Sequence, residues 1–171
     1  GMAIPDQIRF RPDDAVVTFL WSPERTLERQ LYCFDPATNE KKPLIARDEG
    51  TTDQNVSLAE ALRRERMRQR ETGITTYAWA KHAPHLLVPI KNELCTQIGP
   101  DAPLLTIYAG EHGAAQCPRL SPDGSRVAFV ADAELYVSST RGGAARQITS
   151  GARDTGKTNG LAEYAAQEEM G

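Results

Sequence analysis

Residues 119–136 read Arg119-Leu120-Ser121-Pro122-Asp123-Gly124-Ser125-Arg126-Val127-Ala128-Phe129-Val130-Ala131-Asp132-Ala133-Glu134-Leu135-Tyr136, and this stretch decides the fold. Pro-Asp-Gly is turn chemistry: proline presets φ, and Asp or Gly closes the bend. The turn separates a first strand ending near Leu120 from a second at residues 127–131, as a hairpin needs. That second strand is a short, nearly continuous apolar run, which predicts burial on both faces.

The same pattern recurs upstream without a gap. Glu93-Leu94 falls on Glu134-Leu135, 41 positions on, and Leu86-Leu87-Val88 falls on Val127-Ala128-Phe129. With the same offset Ile107 meets Ile148 and Gly110 meets Gly151. A partial third copy precedes these: Phe10-Arg11-Pro12-Asp13-Asp14 before Val16-Val17-Thr18-Phe19, with Leu31-Tyr32 echoing Leu135-Tyr136. A period near forty residues, built from four short strands, is the signature of propeller blades. The expected fold is therefore mainly β: a partial β-propeller of about three four-stranded blades, near 8–46, 74–110 and 115–150. Three blades are too few for a closed ring. The chain thus reads as the N-terminal part of one propeller domain, or as one that pairs its open blade edges with another copy in a homodimer.

Composition narrows the function. The formal net charge of −3 gives no global field that favours nucleic acid or an anionic membrane. No apolar stretch is long enough to span a bilayer, and the start shows no secretory signal, which leaves cytoplasm or periplasm open. Gly1 ahead of Met2 reads as the remnant of a removed tag. Cys33, Cys95 and Cys117 are odd in number and widely spaced, so they predict neither disulfides nor a metal site, but small buried hydrophobes in strands. His82, His85 and His112 fall in loop-like stretches and are expected at the surface. Nothing calls for a cofactor.

Two segments break the blade pattern and predict inserted helices, near 57–72 and 159–170. In the first, Ser57 and Glu60 form a capping box and Gly73 is placed to end the helix. Leu58, Ala61 and Leu62 make a short apolar stripe, followed by a row of Arg63, Arg64, Arg66, Arg68 and Arg70. Cations late in a helix suit its dipole, so a solvated basic face accounts for much of this row. No aromatic residues accompany it, which argues against nucleic-acid binding. In the second, Thr158 or Asn159 is the expected cap and Leu161, Tyr164 and Ala165 share a face with Glu168. Glu168 and Glu169 stand near the helix C-terminus, where the dipole disfavours negative charge. Such local conflicts concentrate where function requires them; the plain alternative is a frayed last turn in water.

Arg64-Glu65-Arg66-Met67-Arg68 with Gly73-Ile74-Thr75-Thr76-Tyr77, and then Gln167-Glu168-Glu169, resemble the N-terminal propeller of the dipeptidyl peptidase IV subfamily of prolyl oligopeptidase-type serine peptidases. The likeness covers essentially the whole chain and is greatest to the dipeptidyl peptidase eight and nine branch and bacterial relatives. It implies a substrate-recognition piece of a serine exopeptidase that releases N-terminal dipeptides. It also implies that Glu168 and Glu169 bind the α-ammonium of a peptide substrate and that Arg68, with Arg66 as fallback, holds a substrate carbonyl. In that family the nucleophile belongs to an α/β-hydrolase domain, a partner absent here; no Gly-x-Ser-x-Gly elbow occurs, so no catalytic residue is expected in this chain and no hydrolysis by it alone. The competing reading is a non-enzymatic propeller for protein interaction, of the TolB type, since fold alone does not decide function.

Overall fold

The computed structural model describes residues 4–24, 26, 28–45, 72–99 and 102–161. Thirteen strands fill these residues. The first sheet contains β1 (Asp6–Phe10), β2 (Val17–Trp21), β3 (Glu28–Asp35) and β4 (Glu40–Ile45), in that order, with β5 (Thr72–Gly73) pairing parallel to β3. The second runs β6 (Ala78–Trp79), β7 (His85–Ile90), β8 (Glu93–Ile98) and β9 (Leu105–Tyr108). The third runs β10 (Gln116–Leu120), β11 (Arg126–Ala131), β12 (Glu134–Ser139) and β13 (Arg146–Gln147). Within each four-strand path, neighbours in sequence are antiparallel neighbours in space, which is the meander of a propeller blade.

The sequence repeat is also a repeat of hydrogen-bond register. Leu86 pairs with Gln97 and Ile90 with Glu93 in the second sheet; Val127 pairs with Ser138 and Ala131 with Glu134 in the third, each shifted by the same offset. Thr96 opposite Leu105 likewise matches Val137 opposite Arg146. Phe10 opposite Val17 and Arg9 opposite Thr18 repeat as Leu120 opposite Val127 and Arg119 opposite Ala128. The turns share their chemistry. Asp123 Oδ1 accepts from Ser121 Oγ at 2.6 Å and Ser125 N at 3.0 Å, while Asp13 Oδ1 accepts from Arg11 Nε at 2.7 Å and Ala15 N at 3.1 Å.

Strand alternation sorts the core into two layers, because successive side chains face opposite sides of a sheet. Leu86, Val88 and Ile90 of β7 pack with Leu20, Leu31, Ile45, Ile74 and Tyr77 between the first two sheets. Leu87 of the same strand points the other way and joins Leu94, Ile107 and Tyr108 against Val127, Phe129 and Tyr136 of the third sheet. Rings close this second layer, with Phe129 4.6 Å from Tyr108 and stacked 5.7 Å from Tyr136. Polar threads cross the layers as well: Thr96 Oγ1 donates to Thr140 O at 2.9 Å, and Trp79 Nε1 donates to Thr18 Oγ1 at 2.9 Å.

Three expectations need correction. The described residues contain no helix. Thr72, expected in the last turn of the first helix, lies in β5, because Thr72 and Gly73 find backbone partners in Glu28 and Arg29. Asn159, a candidate cap for the second, donates its backbone N–H to Ala133 O at 2.8 Å, and residues 159–161 form bends rather than a helical turn. Residues 57–71 and 162–170 lie outside the described residues. Of the cysteines, Cys33 and Cys95 are buried as expected, but Cys117 in β10 is exposed. His85 is not a surface residue: it opens β7, half-buried, with Nδ1 2.9 Å from Gly124 O. A carbonyl only accepts, so Nδ1 carries the proton there.

Candidate functional site

Arg68, Arg66, Glu168 and Glu169 lie outside the described residues. The structure does show how the chain is held on the side of each that leads into a sheet. After the arginine row, Gly73 packs against the backbone of β3 with φ +80, and a Cβ there would sit 2.4 Å from Arg29 O. Only glycine meets both demands without strain. Ile74 N–H then donates to Arg29 O at 2.9 Å while its side chain enters the core between the first two sheets. Gln7 Nε2 donates to Thr75 O at 2.7 Å, and Arg29 Nη1 pairs with Asp6 Oδ2 at 2.7 Å. Hydrogen bonding from that guanidinium holds the Asp6 carboxyl below the usual carboxylate range.

On the other side, the run toward Glu168 begins at a caged acid. Glu134 opens β12 and is 1% exposed. Its Oε2 accepts from Thr149 Oγ1 at 2.7 Å and Asn159 Nδ2 at 2.9 Å, and its Oε1 accepts from Ala152 N at 2.7 Å. These donors, led by Asn159 and Thr149, depress the Glu134 pKa to about 2, against the opposing effect of burial. Thr149 Oγ1 in turn accepts from Leu135 N at 2.9 Å, so the cage is tied to β12 at two points. Arg153 pairs with Asp132 in the β11–β12 turn. Gly160, at φ +85, brings the backbone over the same sheet: a Cβ there would lie 2.9 Å from Val130 Cγ2 and 3.4 Å from Leu135 Cδ1. Residues 149–160 are therefore folded back onto the third sheet.

Glu134 went unread in the sequence, although a signal was present. The repeat places Glu93 at the equivalent position, and there Thr106 Oγ1 stands 3.4 Å from Glu93 Oε2. What distinguishes the later copy is the polar run Thr149 to Asn159, whose donors converge on one carboxylate only once the chain doubles back. Among the described residues no group of His, Cys, Asp or Glu could hold a metal ion, and no helix is long and apolar enough to cross a membrane.

A family model described as the dipeptidyl peptidase IV (DPP IV) N-terminal region matches residues 65–171. Among solved structures, TolB from Acinetobacter baumannii aligns with a TM-score of 0.50 and 13% identity, over 82% of this chain and 31% of TolB. An oligogalacturonate lyase in complex with manganese aligns with a TM-score of 0.48 and 11% identity, over 79% of this chain and 35% of the lyase. The chain spans about a third of the length of these proteins, and at such low identity the likeness to TolB speaks to fold alone.

Proposed function

The chain belongs to the dipeptidyl peptidase IV N-terminal region family, and from that premise we propose that it is the substrate-recognition part of a serine exopeptidase that releases N-terminal dipeptides. The observation that carries this reading is the span of the family match, which runs from inside the arginine row to the far side of the terminal glutamate pair. Glu168 and Glu169 bind the α-ammonium of the peptide, and Arg68 holds a backbone carbonyl. The nucleophile comes from an α/β-hydrolase domain of the parent chain. The arginine row with Gly73-Ile74-Thr75 favours the dipeptidyl peptidase eight and nine branch.

The chemistry suits the residues. An α-ammonium has a pKa of about 7.7–8.0 and is largely charged at neutral pH. A carboxylate about 4 Å away attracts it by at most about 4 kcal/mol at an effective dielectric of 20, before desolvation is counted. Two carboxylates supply acceptors for all three N–H donors, and a guanidinium offers a planar fork to a carbonyl oxygen. Such a grip measures length from the amino terminus, so the hydrolase cuts after the second residue.

The test compares release of a proline-containing dipeptide from a chromogenic substrate by the parent protein and its Glu168→Ala, Glu169→Ala and Arg68→Ala variants. Each glutamate variant is expected to lose activity by about a hundredfold or more with folding intact, as for an unpaired buried charge contact of about 3 kcal/mol. Unchanged activity would mean that the pair takes no part in binding the substrate. No activity in the wild type would favour a protein-interaction module.

A further inference from the structure

The second and third sheets turn the same positions of the repeat toward the sheet that precedes each of them. Leu86, Val88, Ile90 and Cys95 enter the layer shared with the first sheet, and Val127, Phe129, Ala131 and Tyr136, 41 positions on, enter the layer shared with the second. The first sheet carries the same set at Val17, Phe19, Trp21 and Tyr32, by the pairings that both hairpins share. Among the described residues no sheet stands before the first or after the third. Val17 and Trp21 are accordingly half-buried where Val127 and Ala131 are buried, and Phe10 is 62% exposed where its counterpart Leu120 packs into a layer. The far face of the third sheet is the other half of the same interface. Leu87, Leu94 and Ile107 of the second sheet are buried against the third. Their counterparts Ala128 and Leu135 are half-buried, and Ile148 is 49% exposed against 4% for Ile107. The fold-back covers this face only in part, with Gly160 over Val130 and Leu135.

We propose that two copies of this chain close head to tail, the third sheet of each packing on the first sheet of the other, so that six sheets form one ring. The molecule already makes this joint twice, between the first and second sheets and between the second and third. Each copy carries both halves of a third joint, and neither half meets a further sheet among the described residues. Joining them takes the exposed apolar side chains Phe10 and Ile148 out of water together. A head-to-tail contact either closes or grows into a filament. Six sheets lie within the about four to eight of closed propellers, so two copies suffice. A pair joined through its two first sheets would leave Ile148 of both copies in water. The ring is independent of the substrate-binding role given above.

The experiment uses the 171-residue chain with Cys117→Ser, so that the exposed thiol forms no stray cross-link. Light scattering is expected to give twice the mass of one chain. Phe10→Glu and Ile148→Glu each damage both joints of the ring, and each should raise the dimer dissociation constant by about tenfold or more. Both side chains are exposed, so circular dichroism should show either variant folded like the unsubstituted chain. Mixing the two variants restores association, because one joint of the mixed pair then brings unsubstituted faces together. Cross-linking supplies a second measurement. Ile107 O accepts from Ser138 Oγ at 3.2 Å across the existing joint, and Phe34 holds the place of Ser138 in the first sheet. A chain with Phe34→Cys and one with Ile148→Cys should therefore couple through a short bis-maleimide when mixed, and neither should couple to itself. A monomer at the highest soluble concentration overturns the inference and leaves both faces to further blades of a longer chain. Variants that self-couple, or whose mixing restores nothing, overturn it in favour of a pair through identical faces. Masses beyond two chains overturn the closed ring in favour of a filament. A dimer that both glutamate variants leave intact places the contact elsewhere and overturns it too.

Discussion

Protonating Glu134 removes the charge that Thr149, Ala152 and Asn159 hold in place. Its pKa falls from 4.5 to about 2 on folding, so its contribution to stability is fully present above about pH 4.5 and is lost as pH drops toward 2. Asp123, held by Ser121 and Ser125 in the Pro-Asp-Gly turn, is also depressed to about 2 and acts in the same window. Thermal melts are expected to move to lower temperature between about pH 5 and pH 2, and Glu134→Gln with Asp123→Asn should flatten that slope. A slope that survives both substitutions would place the acid sensitivity elsewhere. Gly73→Ala is the second test at this scale. A methyl group 2.4 Å from Arg29 O at φ +80 should cost more than about 1 kcal/mol in a denaturant titration.

At the scale of the strand, position in the repeat sets the cost of a substitution. Phe129 lies in β11 between Tyr108 and Tyr136, with its counterpart Phe19 in β2 stacked 6.2 Å from Tyr32. Phe129→Ala is expected to destabilise by about 3–5 kcal/mol, since the layer between the second and third sheets relaxes only in part around the cavity. Leu105→Ala in β9, where the side chain is 39% exposed, should cost well under half of that in the same urea titration. Equal losses would mean that the two sheets do not share a core. The hairpins were legible for a simple reason: Pro-Asp-Gly and Pro-Asp-Asp encode their turns locally, and the flanking apolar runs alternate toward two layers.

Across the whole molecule, faces of adjoining sheets meet through equivalent positions. Leu120 of β10 packs against the layer between the second and third sheets, and Trp79 of β6 packs against the layer between the first and second. Phe10 of β1 holds the matching place in the first sheet and is 62% exposed. We propose that this face pairs with a second copy of the chain. Light scattering over a concentration series should then show self-association that Phe10→Glu suppresses. A monomer at the highest concentration would sink the dimer and leave the recognition role untouched.

The sequence by itself determined the blades, because their information is local and periodic: turn residues, alternating apolar runs and a constant offset carry the register from one sheet to the next. It also determined the family, through the arginine row, Gly73-Ile74-Thr75 and the terminal glutamates. Tertiary structure alone decided the fate of Thr72 and Asn159. Thr72 is drawn into β5 beside Glu28 and Arg29, and Asn159 is held in the fold-back by Ala133 and Glu134, in each case by partners distant in sequence. A buried carboxylate draws donors from wherever the chain returns to it, and no local pattern records that return.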